Sequence, residues 1–250
     1  MLKKLNILTM AGLGLRFLNQ GYKDLKPLIK VKGIPIFIKS AKSMPKGNFW
    51  IFIQRKSAFS KIIRELINNN FKKYKIINIL KKNDGQARSC FRANKFLKKN
   101  SQIFVSACDY SFTYNHALYK KKLKQYDILI FTTKPKKIHM NNPKSFGWVG
   151  KKNGKIKRIT CKKIISDKYY RTIIIGSFAF ENEFIFRKVF KNFFIKKNLI
   201  NKEFYLDMLM SKALNEGFKV GEIKVKRFRS WGTPEEYEKD TQKKLITKRK

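Results

Sequence analysis

The chain has 250 residues, of which 43% are hydrophobic and 14% aromatic, so it can bury a sizeable core and is not disordered throughout. Lys and Arg number 59 against 16 Asp and Glu, which gives a formal net charge of +43. No apolar stretch approaches the roughly 20 residues that a membrane-spanning helix needs, and no apolar signal region follows Met1. We expect a cytoplasmic chain without a membrane span, folded as one domain over residues 1–240 with a charged tail over 241–250.

The excess positive charge has two interpretations. A chain this basic is typical of nucleic-acid-binding proteins, which gain affinity by releasing counterions. Only 11 of the 59 cationic residues are arginine, however, and the lysines are scattered over every segment, whereas nucleic-acid grooves favour arginine for bidentate and stacked contacts. The abundance of Lys, Asn, Ile and Phe also matches the drift expected of an AT-rich genome. We favour drift, and we keep a basic nucleic-acid-binding protein as the alternative function.

Cysteine and histidine give no sign of a functional site. Cys90, Cys108 and Cys161 have no paired spacing, so the sequence suggests neither a disulfide framework nor a zinc site. His116 and His139 are the only histidines, and neither is near a cysteine or an acidic cluster. The sequence therefore argues against catalysis or metal binding by histidine.

The first half of the chain alternates short apolar runs with longer amphipathic ones. This alternation predicts βαβ units and a mainly parallel sheet. The predicted strands cover residues 6–10, 49–54, 75–80 and 102–107. The predicted helices cover residues 34–44, 57–69 and 86–98.

After Asp109 the pattern changes, and strands predominate. A hairpin is predicted from residues 147–150 and 156–160, turned at Asn153-Gly154. Other predicted strands cover residues 126–132, 172–180 and 218–226, and the predicted helices cover 183–192, 203–215 and a segment from Glu236 onward. There are no repeats or Pro/Ser-rich linkers, so the sequence favours one continuous α/β domain.

A glycine-rich turn follows the first predicted strand. Gly12 and Gly14 allow a tight turn whose amides can surround phosphate oxygens. A dinucleotide-binding turn would need a third glycine where Phe17 stands, and the Walker pattern is absent. The guanidinium of Arg16 beside such a turn favours phosphate binding. Asp109 ends an apolar strand, where open α/β sheets bind ligands; its alternative role is a helix cap.

The order of these motifs resembles the sugar-phosphate nucleotidylyltransferase family, of the capsule and surface-sugar type. The resemblance covers roughly residues 6 to 240 and rests on the Gly-x-Gly-x-Arg-Phe turn, Lys26-Pro27-Leu28, Gly33-x-Pro35, Asp84-Gly85-Gln86-Ala87, Cys108-Asp109, Lys162, Gly176, the segment 201–205 and Gly232-Thr233-Pro234-Glu235. It implies a Rossmann-like (GT-A-like) three-layer α/β sandwich around a central, mainly parallel mixed sheet. It also implies transfer of a nucleoside monophosphate from a triphosphate to a sugar phosphate, with release of pyrophosphate, for surface polysaccharide precursors.

The resemblance further implies roles for individual residues. Arg16 and Lys26 would neutralise the triphosphate, and Asp109 would hold Mg²⁺. Because the acceptor's own phosphate oxygen is already anionic, no protein base is required. The implied nucleotide-binding residues are Ala11, Gly12, Gly14, Gly85, Gln86 and Ala87, and the implied acceptor-binding residues are Lys162, Gly176 and Glu203. The implied partners are a nucleoside triphosphate and a phosphorylated sugar-type acceptor, with no specific nucleic acid; the sequence does not indicate an oligomeric state.

Three positions depart from the family pattern. Leu15 replaces a Ser or Thr in the phosphate turn, Cys161 replaces a glutamate before the acceptor lysine, and Ser230 replaces a second magnesium-binding aspartate. These changes leave open the acceptor and the second metal ligand, and a catalytically inactive relative is the third candidate.

Four other residues have simpler interpretations. Glu203 is as well explained by an N-terminal helix acid as by an acceptor contact, and Asp207 is expected to be solvated. Trp148 and Trp231 are expected to pack in the core or the hairpin.

Overall fold

The computed structural model describes residues 3–57, 59–80, 85–166, 168–195 and 203–242. These residues form a central nine-stranded mixed sheet, with two small two-stranded sheets beside it. The strands are β1 (Lys4–Met10), β2 (Lys30–Val31), β3 (Ile34–Pro35), β4 (Phe49–Arg55), β5 (Tyr74–Ile79), β6 (Gln102–Ala107), β7 (Tyr110–Phe112), β8 (Ile128–Thr133), β9 (Gly147–Lys152), β10 (Lys155–Cys161), β11 (Tyr170–Phe180), β12 (Val220–Lys224) and β13 (Phe228–Ser230).

Helices lie on both faces of the sheet and at its edge. They are α1 (Leu15–Leu18), α2 (Ile36–Ser43), α3 (Ser60–Asn70), α4 (Gln86–Phe91), α5 (His116–Leu123), α6 (Lys137–Asn141), α7 (Glu183–Ile195), α8 (Leu206–Asn215) and α9 (Pro234–Thr241), with short 3₁₀ turns at Lys26–Leu28, Arg92–Phe96 and Pro143–Ser145. In the part of the chain that the structure describes, no helix has the length and apolar character needed to cross a bilayer.

The main sheet has the order β10-β9-β11-β6-β1-β4-β5, and β8 joins β11 to β12. β1 is parallel to both β4 and β6, β4 is parallel to β5, and β8 is parallel to β12. Among the described strands of this sheet, only β10 and β11 run against the rest. The predicted mainly parallel, mixed α/β sheet is therefore confirmed. Because β1, β4 and β6 are parallel, their carboxyl ends meet at one edge.

Two core layers explain why these strands are buried on both faces. Ile7 lies opposite Ile51 on one side and Val105 on the other, and all three are fully buried. The next residues along each strand point to the opposite face, as the two-residue repeat of a strand requires. One layer packs against α4, α7 and α8 through residues that include Cys90, Phe186, Phe190 and Leu209, and the other packs against α2 and α3 through Phe37, Ala41, Ile63 and Ile67.

Helix α9 returns to the N-terminal segment of the chain. The Tyr237 hydroxyl donates to the Lys30 carbonyl at 2.8 Å, and the Tyr22 hydroxyl donates to Glu238 at 3.2 Å. Phe17, from α1, is buried in the same small cluster as Tyr237. Helix α9 is therefore packed against the segment 17–30, which follows the glycine-rich turn.

Several predicted boundaries were wrong. The helix predicted over 203–215 begins only at Leu206, because the Phe204 carbonyl accepts a hydrogen bond from the Ala87 amide at 3.1 Å and holds that segment extended against α4. The helix predicted over 86–98 is α4 followed by a 3₁₀ turn, and the helix predicted over 34–44 begins after β3. The Asn153-Gly154 hairpin is confirmed, with φ of 52° and 71°. From residue 243 onward the predicted tail lies outside the described residues.

Candidate active site

An open cleft of about 500 Å³ lies at the edge of the sheet where β1, β4 and β6 end. The glycine-rich turn after β1 forms one wall, and Asp109 follows β6 on the same edge. Arg55, at the end of β4, and the start of α4 line the cleft further along, and Glu203 and Tyr205 line it from the C-terminal half. Residues from both halves of the sequence therefore meet at the edge where open α/β sheets bind ligands.

The glycine-rich turn leaves room for a ligand at its surface. Gly12 is exposed, and a Cβ added there would meet nothing within 4 Å. Gly14 has φ of 67°, and a Cβ there would lie 3.1 Å from the Lys26 Cβ. Ala11, Gly12, Gly14 and Arg16 all line the cleft, as predicted. The Arg16 side chain is exposed, and no hydrogen bond or ion pair with another described residue fixes it.

Lys26 and Asp109 form an ion pair at the base of this wall. Lys26 Nζ lies 2.7 Å from Asp109 Oδ2 and donates to the Gly232 carbonyl at 2.9 Å. The Lys26 side chain is 17% exposed to solvent and the Asp109 side chain 25%. Burial alone would lower the pKa of Lys26, but the adjacent Asp109 carboxylate outweighs burial and raises it. Lys26 therefore carries a fixed positive charge in the cleft.

The helix-cap alternative for Asp109 is wrong, because the next element is strand β7 and not a helix. The Asp109 carbonyl accepts from the Trp231 amide at 2.7 Å, which brings the C-terminal segment to this point. Trp148 and Trp231 are buried, as predicted.

The start of α4 forms the next part of the cleft. Gly85 has φ of 103°, and a Cβ there would lie 2.6 Å from the Phe204 carbonyl oxygen, so only glycine fits. Gln86 lines the cleft, and its Nε2 donates to the Thr9 hydroxyl at 2.9 Å. Ala87 is instead buried in the core beneath the cleft. Asp84, which belongs to the same motif, lies outside the described residues.

The predicted acceptor residues are only partly brought together. Lys162 Nζ donates to the Tyr205 hydroxyl at 2.7 Å, and Tyr205 lines the cleft beside Glu203. Burial raises the pKa of Tyr205, and a hydrogen bond between the Tyr205 and Glu203 side chains raises it further. Gly176 does not line the cleft; it has φ of 89° and lies against the hydroxyl of Tyr110. Asn201, Lys202 and Asp167, from the two motifs around these residues, lie outside the described residues.

Asp207 was expected to be solvated, but it is only partly exposed. Its carboxylate lies directly against Gly147, where a Cβ would overlap it. Burial raises the pKa of Asp207 to about 7, although the nearby Lys162 cation opposes the shift. Burial and the Asp207 charge also raise the pKa of Cys161 to about 12, so this side chain stays a neutral thiol near pH 7.

A second acid lies near Asp109, and sequence reasoning missed it. Glu236 Oε2 accepts from the Ser230 hydroxyl at 2.8 Å and from the Gly232 and Thr233 amides at 3.1 and 3.2 Å, in the capping box of α9. A Cβ on Gly232 would lie 3.1 Å from this oxygen and 3.7 Å from Asp109 Oδ2. The Glu236 oxygen is therefore close to Asp109 but already engaged by three donors.

These donors limit how a metal ion can be held. Within the described residues, no three His, Cys, Asp or Glu side chains are grouped so that they could hold an ion. Asp109 offers one carboxylate, and one of its oxygens already accepts from Lys26. This donor set fits Mg²⁺, which keeps several waters and takes phosphate oxygens from its substrate, and it does not fit a cage of protein ligands.

No protein-family model and no curated protein sequence matches the chain. Solved structures do match its fold. The nucleoside-diphosphate-sugar pyrophosphorylase of Vibrio cholerae RC9 has a TM-score of 0.78 and 18% identity, with 95% of this chain and 100% of that chain covered. The inositol-1-phosphate CTP transferase of T. maritima has a TM-score of 0.72 and 16% identity, with 94% of this chain and 91% of that chain covered. HddC of Yersinia pseudotuberculosis has a TM-score of 0.69 and 16% identity, with 96% of this chain and 99% of that chain covered. The chain therefore has the fold of these proteins over nearly its whole described length.

Proposed function

We propose that the chain is a nucleotidyltransferase that moves a nucleoside monophosphate from a triphosphate to the phosphate of a sugar-type acceptor. The observation that carries this proposal is the Lys26–Asp109 pair, which lies beside the glycine-rich turn in the cleft. The shared fold with a sugar-nucleotide pyrophosphorylase and an inositol-phosphate CTP transferase supports it. The motif order supports a product used for surface polysaccharide or a related glycoconjugate, made in the cytoplasm, where nucleoside triphosphates are available.

In this reaction an oxygen of the acceptor's phosphate attacks the α-phosphorus of the triphosphate. The bond from the α-phosphorus to the oxygen that bridges to the β-phosphate breaks, and pyrophosphate leaves. The nucleophile is already anionic, so no side chain has to remove a proton. The chain instead has to hold two anions close together and to neutralise the charge that moves onto the leaving group.

Arg16 and Lys26 would neutralise the charge on the leaving group. Lys26 is held by two acceptors, the Asp109 carboxylate and the Gly232 carbonyl, so its ammonium is positioned before any ligand enters. Arg16 is exposed at the start of α1 and is free to turn toward a phosphate. The turn from Ala11 to Gly14 lines the same wall and offers backbone amides to the phosphate oxygens.

Asp109 would hold a magnesium ion, with water and phosphate oxygens as the remaining ligands. When bound, such an ion supplies further neutralisation of the phosphates. Lys26 keeps Asp109 partly neutralised in the free protein. Glu236, already bound by three donors, keeps its role in the helix cap.

Lys162 and Glu203 would meet the acceptor. Lys162 lies within hydrogen-bond distance of the Tyr205 hydroxyl, and Tyr205 and Glu203 line the cleft. A lysine suits a phosphate as a point charge, and a carboxylate suits sugar hydroxyls as a hydrogen-bond acceptor. The wall formed by these residues is contributed by the C-terminal half of the chain, whereas the phosphate turn belongs to the N-terminal half.

The decisive test is pyrophosphate release. The purified chain is incubated with magnesium, each of the common nucleoside triphosphates and a panel of sugar 1-phosphates, and Asp109→Asn serves as the inactive control. We expect release with at least one pair and none with the variant. The proposal fails if no pair releases pyrophosphate above the level of Asp109→Asn.

A further inference from the structure

Arg55 is a cleft residue that the proposed chemistry leaves unused. It is the last residue of β4, pairs in register with Ile79 of β5, and lines the cleft. Its Nε is buried and has no hydrogen-bond partner. No other described residue forms a hydrogen bond or ion pair with its guanidinium. Because a buried donor without an acceptor is unfavourable, and more so when it is charged, this arrangement favours a ligand that supplies the missing acceptors.

Arg55 lies away from the phosphate end of the cleft. Asp109 follows β6 and Arg55 ends β4, with β1 between them. Neighbouring strands are about 4.8 Å apart, so two strand spacings separate the backbones at these positions by about 10 Å. Gly85, Gln86 and Ser89 at the start of α4 line the same cleft. A triphosphate held at Lys26 and Asp109 would place its nucleoside toward this end.

We propose that Arg55 binds the nucleobase and selects a base that presents two adjacent hydrogen-bond acceptors. This inference rests on the proposed function. A guanidinium has donors only, in a planar fork, and therefore matches two neighbouring acceptors. Guanine offers O6 and N7, and cytosine offers O2 and N3. Uracil, thymine and adenine have no two neighbouring acceptors on one edge, so the guanidinium fork can reach only one acceptor on those bases.

The experiment compares CTP, GTP, UTP and ATP on three proteins. These are the unmodified chain, Arg55→Gln, and Arg64→Gln as a matched control on the exposed face of α3. Binding is measured by calorimetry, and kcat/KM is measured by pyrophosphate release. Inorganic tripolyphosphate is included because it reports the phosphate site alone.

We expect CTP or GTP to be preferred over UTP and ATP by at least about tenfold in the unmodified chain, since a bidentate contact discriminates by about 1–3 kcal/mol. Arg55→Gln should weaken binding of the preferred nucleotide by about 10- to 100-fold and lower its kcat/KM, mainly by raising KM. Binding of tripolyphosphate should stay unchanged. Arg64→Gln should change neither. Arg55→Lys keeps the charge but not the fork, so it should also lose the preference.

Several outcomes would overturn the inference. It is wrong if the unmodified chain prefers UTP or ATP, or if Arg55→Lys keeps the full base preference. It is also wrong if Arg55→Gln weakens the binding of all four nucleotides and of tripolyphosphate equally, because Arg55 would then be a phosphate ligand. If a base preference that depends on Arg55 appears without pyrophosphate release, the proposed reaction fails and this inference stands. If no nucleotide binds, both fail.

Discussion

The ammonium of Lys26 lies 2.7 Å from the carboxylate of Asp109, although 83 positions separate the two residues in the chain. The pair joins the segment after the glycine-rich turn to the end of β6, so the fold itself brings these charges together. Their mutual neutralisation lets both charges stay partly buried in the cleft. A ligand that carries its own metal ion and phosphates can take over both partners at once, because each then receives a new opposite charge.

Arg16→Ala and Lys26→Ala should each lower turnover at least about a hundredfold, since both cations act where charge builds up in the transition state. Lys23→Ala, an exposed lysine three residues before Lys26, is the control and should leave turnover unchanged. Steady-state pyrophosphate release measures the effect, and circular dichroism checks that each variant folds. Near-normal turnover in both variants would remove the triphosphate assignment.

The free protein should bind magnesium weakly. One carboxylate that already accepts from Lys26 is a poor site for an ion that demands about six oxygens. Calorimetry on the nucleotide-free chain should therefore show little heat with magnesium, and much more once a triphosphate is present. Asp109→Asn should reduce the magnesium-dependent part of triphosphate binding. Tight magnesium binding without nucleotide would show that a further acid completes the site.

Ser230→Asp should destabilise the protein. The serine hydroxyl donates to Glu236 Oε2 at 2.8 Å, so an aspartate would set two carboxylates against each other and remove a donor from the α9 capping box. The double variant Ser230→Asp/Glu236→Gln should recover part of the loss, because the amide can donate to the new carboxylate. Thermal unfolding at pH 7 measures both. An unchanged Tm for Ser230→Asp would mean that Glu236 is not fixed as described.

Asp207→Asn should stabilise the protein in a pH-dependent way. Burial raises the pKa of Asp207 from an ordinary 3.8 to about 7 in the folded state. The folded chain therefore binds more protons than the unfolded chain between these values, and stability falls as pH rises through this window. The gain in Tm from Asp207→Asn should be small at pH 4, grow toward pH 7 and level off above it. In a chain of this size each kcal/mol corresponds to about 2–4 °C.

Asp24→Asn, at an exposed position, is the control for that series and should show no such trend. A gain from Asp207→Asn that is equal at every pH would contradict the assignment, because it would reflect packing and not a buried charge.

The positive charge should give only weak, unselective binding to nucleic acids. If the +43 charge is drift, affinity for RNA or DNA should fall steeply with salt and should not depend on sequence. Filter binding at two salt concentrations, with several sequences, tests this. Selective binding that survives about 0.2 M salt would favour the nucleic-acid alternative.

The strands and the phosphate turn could be predicted from local pattern. Strand β6 has the bounds that were predicted for it. The turn after β1 has its glycines and Arg16 next to one another in the sequence, so its affinity for phosphate could be predicted from neighbouring residues alone. Lys26 and Asp109 were identified through motif order, and the structure shows that they meet.

The missed residues depend on distant contacts. Asp207 looked solvated because nothing in its helix shows that Gly147 lies against it. Glu236 was predicted only as the start of a helix, because its contact with Ser230 arises from the fold around Gly232. Arg55 was one of 59 cationic residues, and only its place at the end of β4 separates it from the rest.

The contact between α9 and the N-terminal segment has a consequence for synthesis of the chain on the ribosome. The glycine-rich turn is made long before Gly232, which accepts from Lys26, and before Tyr237, which packs beside Phe17. A nascent or truncated chain that ends before Gly232 would have most of the sheet but a lysine lacking one of its two fixed acceptors. In the proposed reaction, a chain that stops before Gly232 should therefore bind triphosphate less well than one that extends past Tyr237.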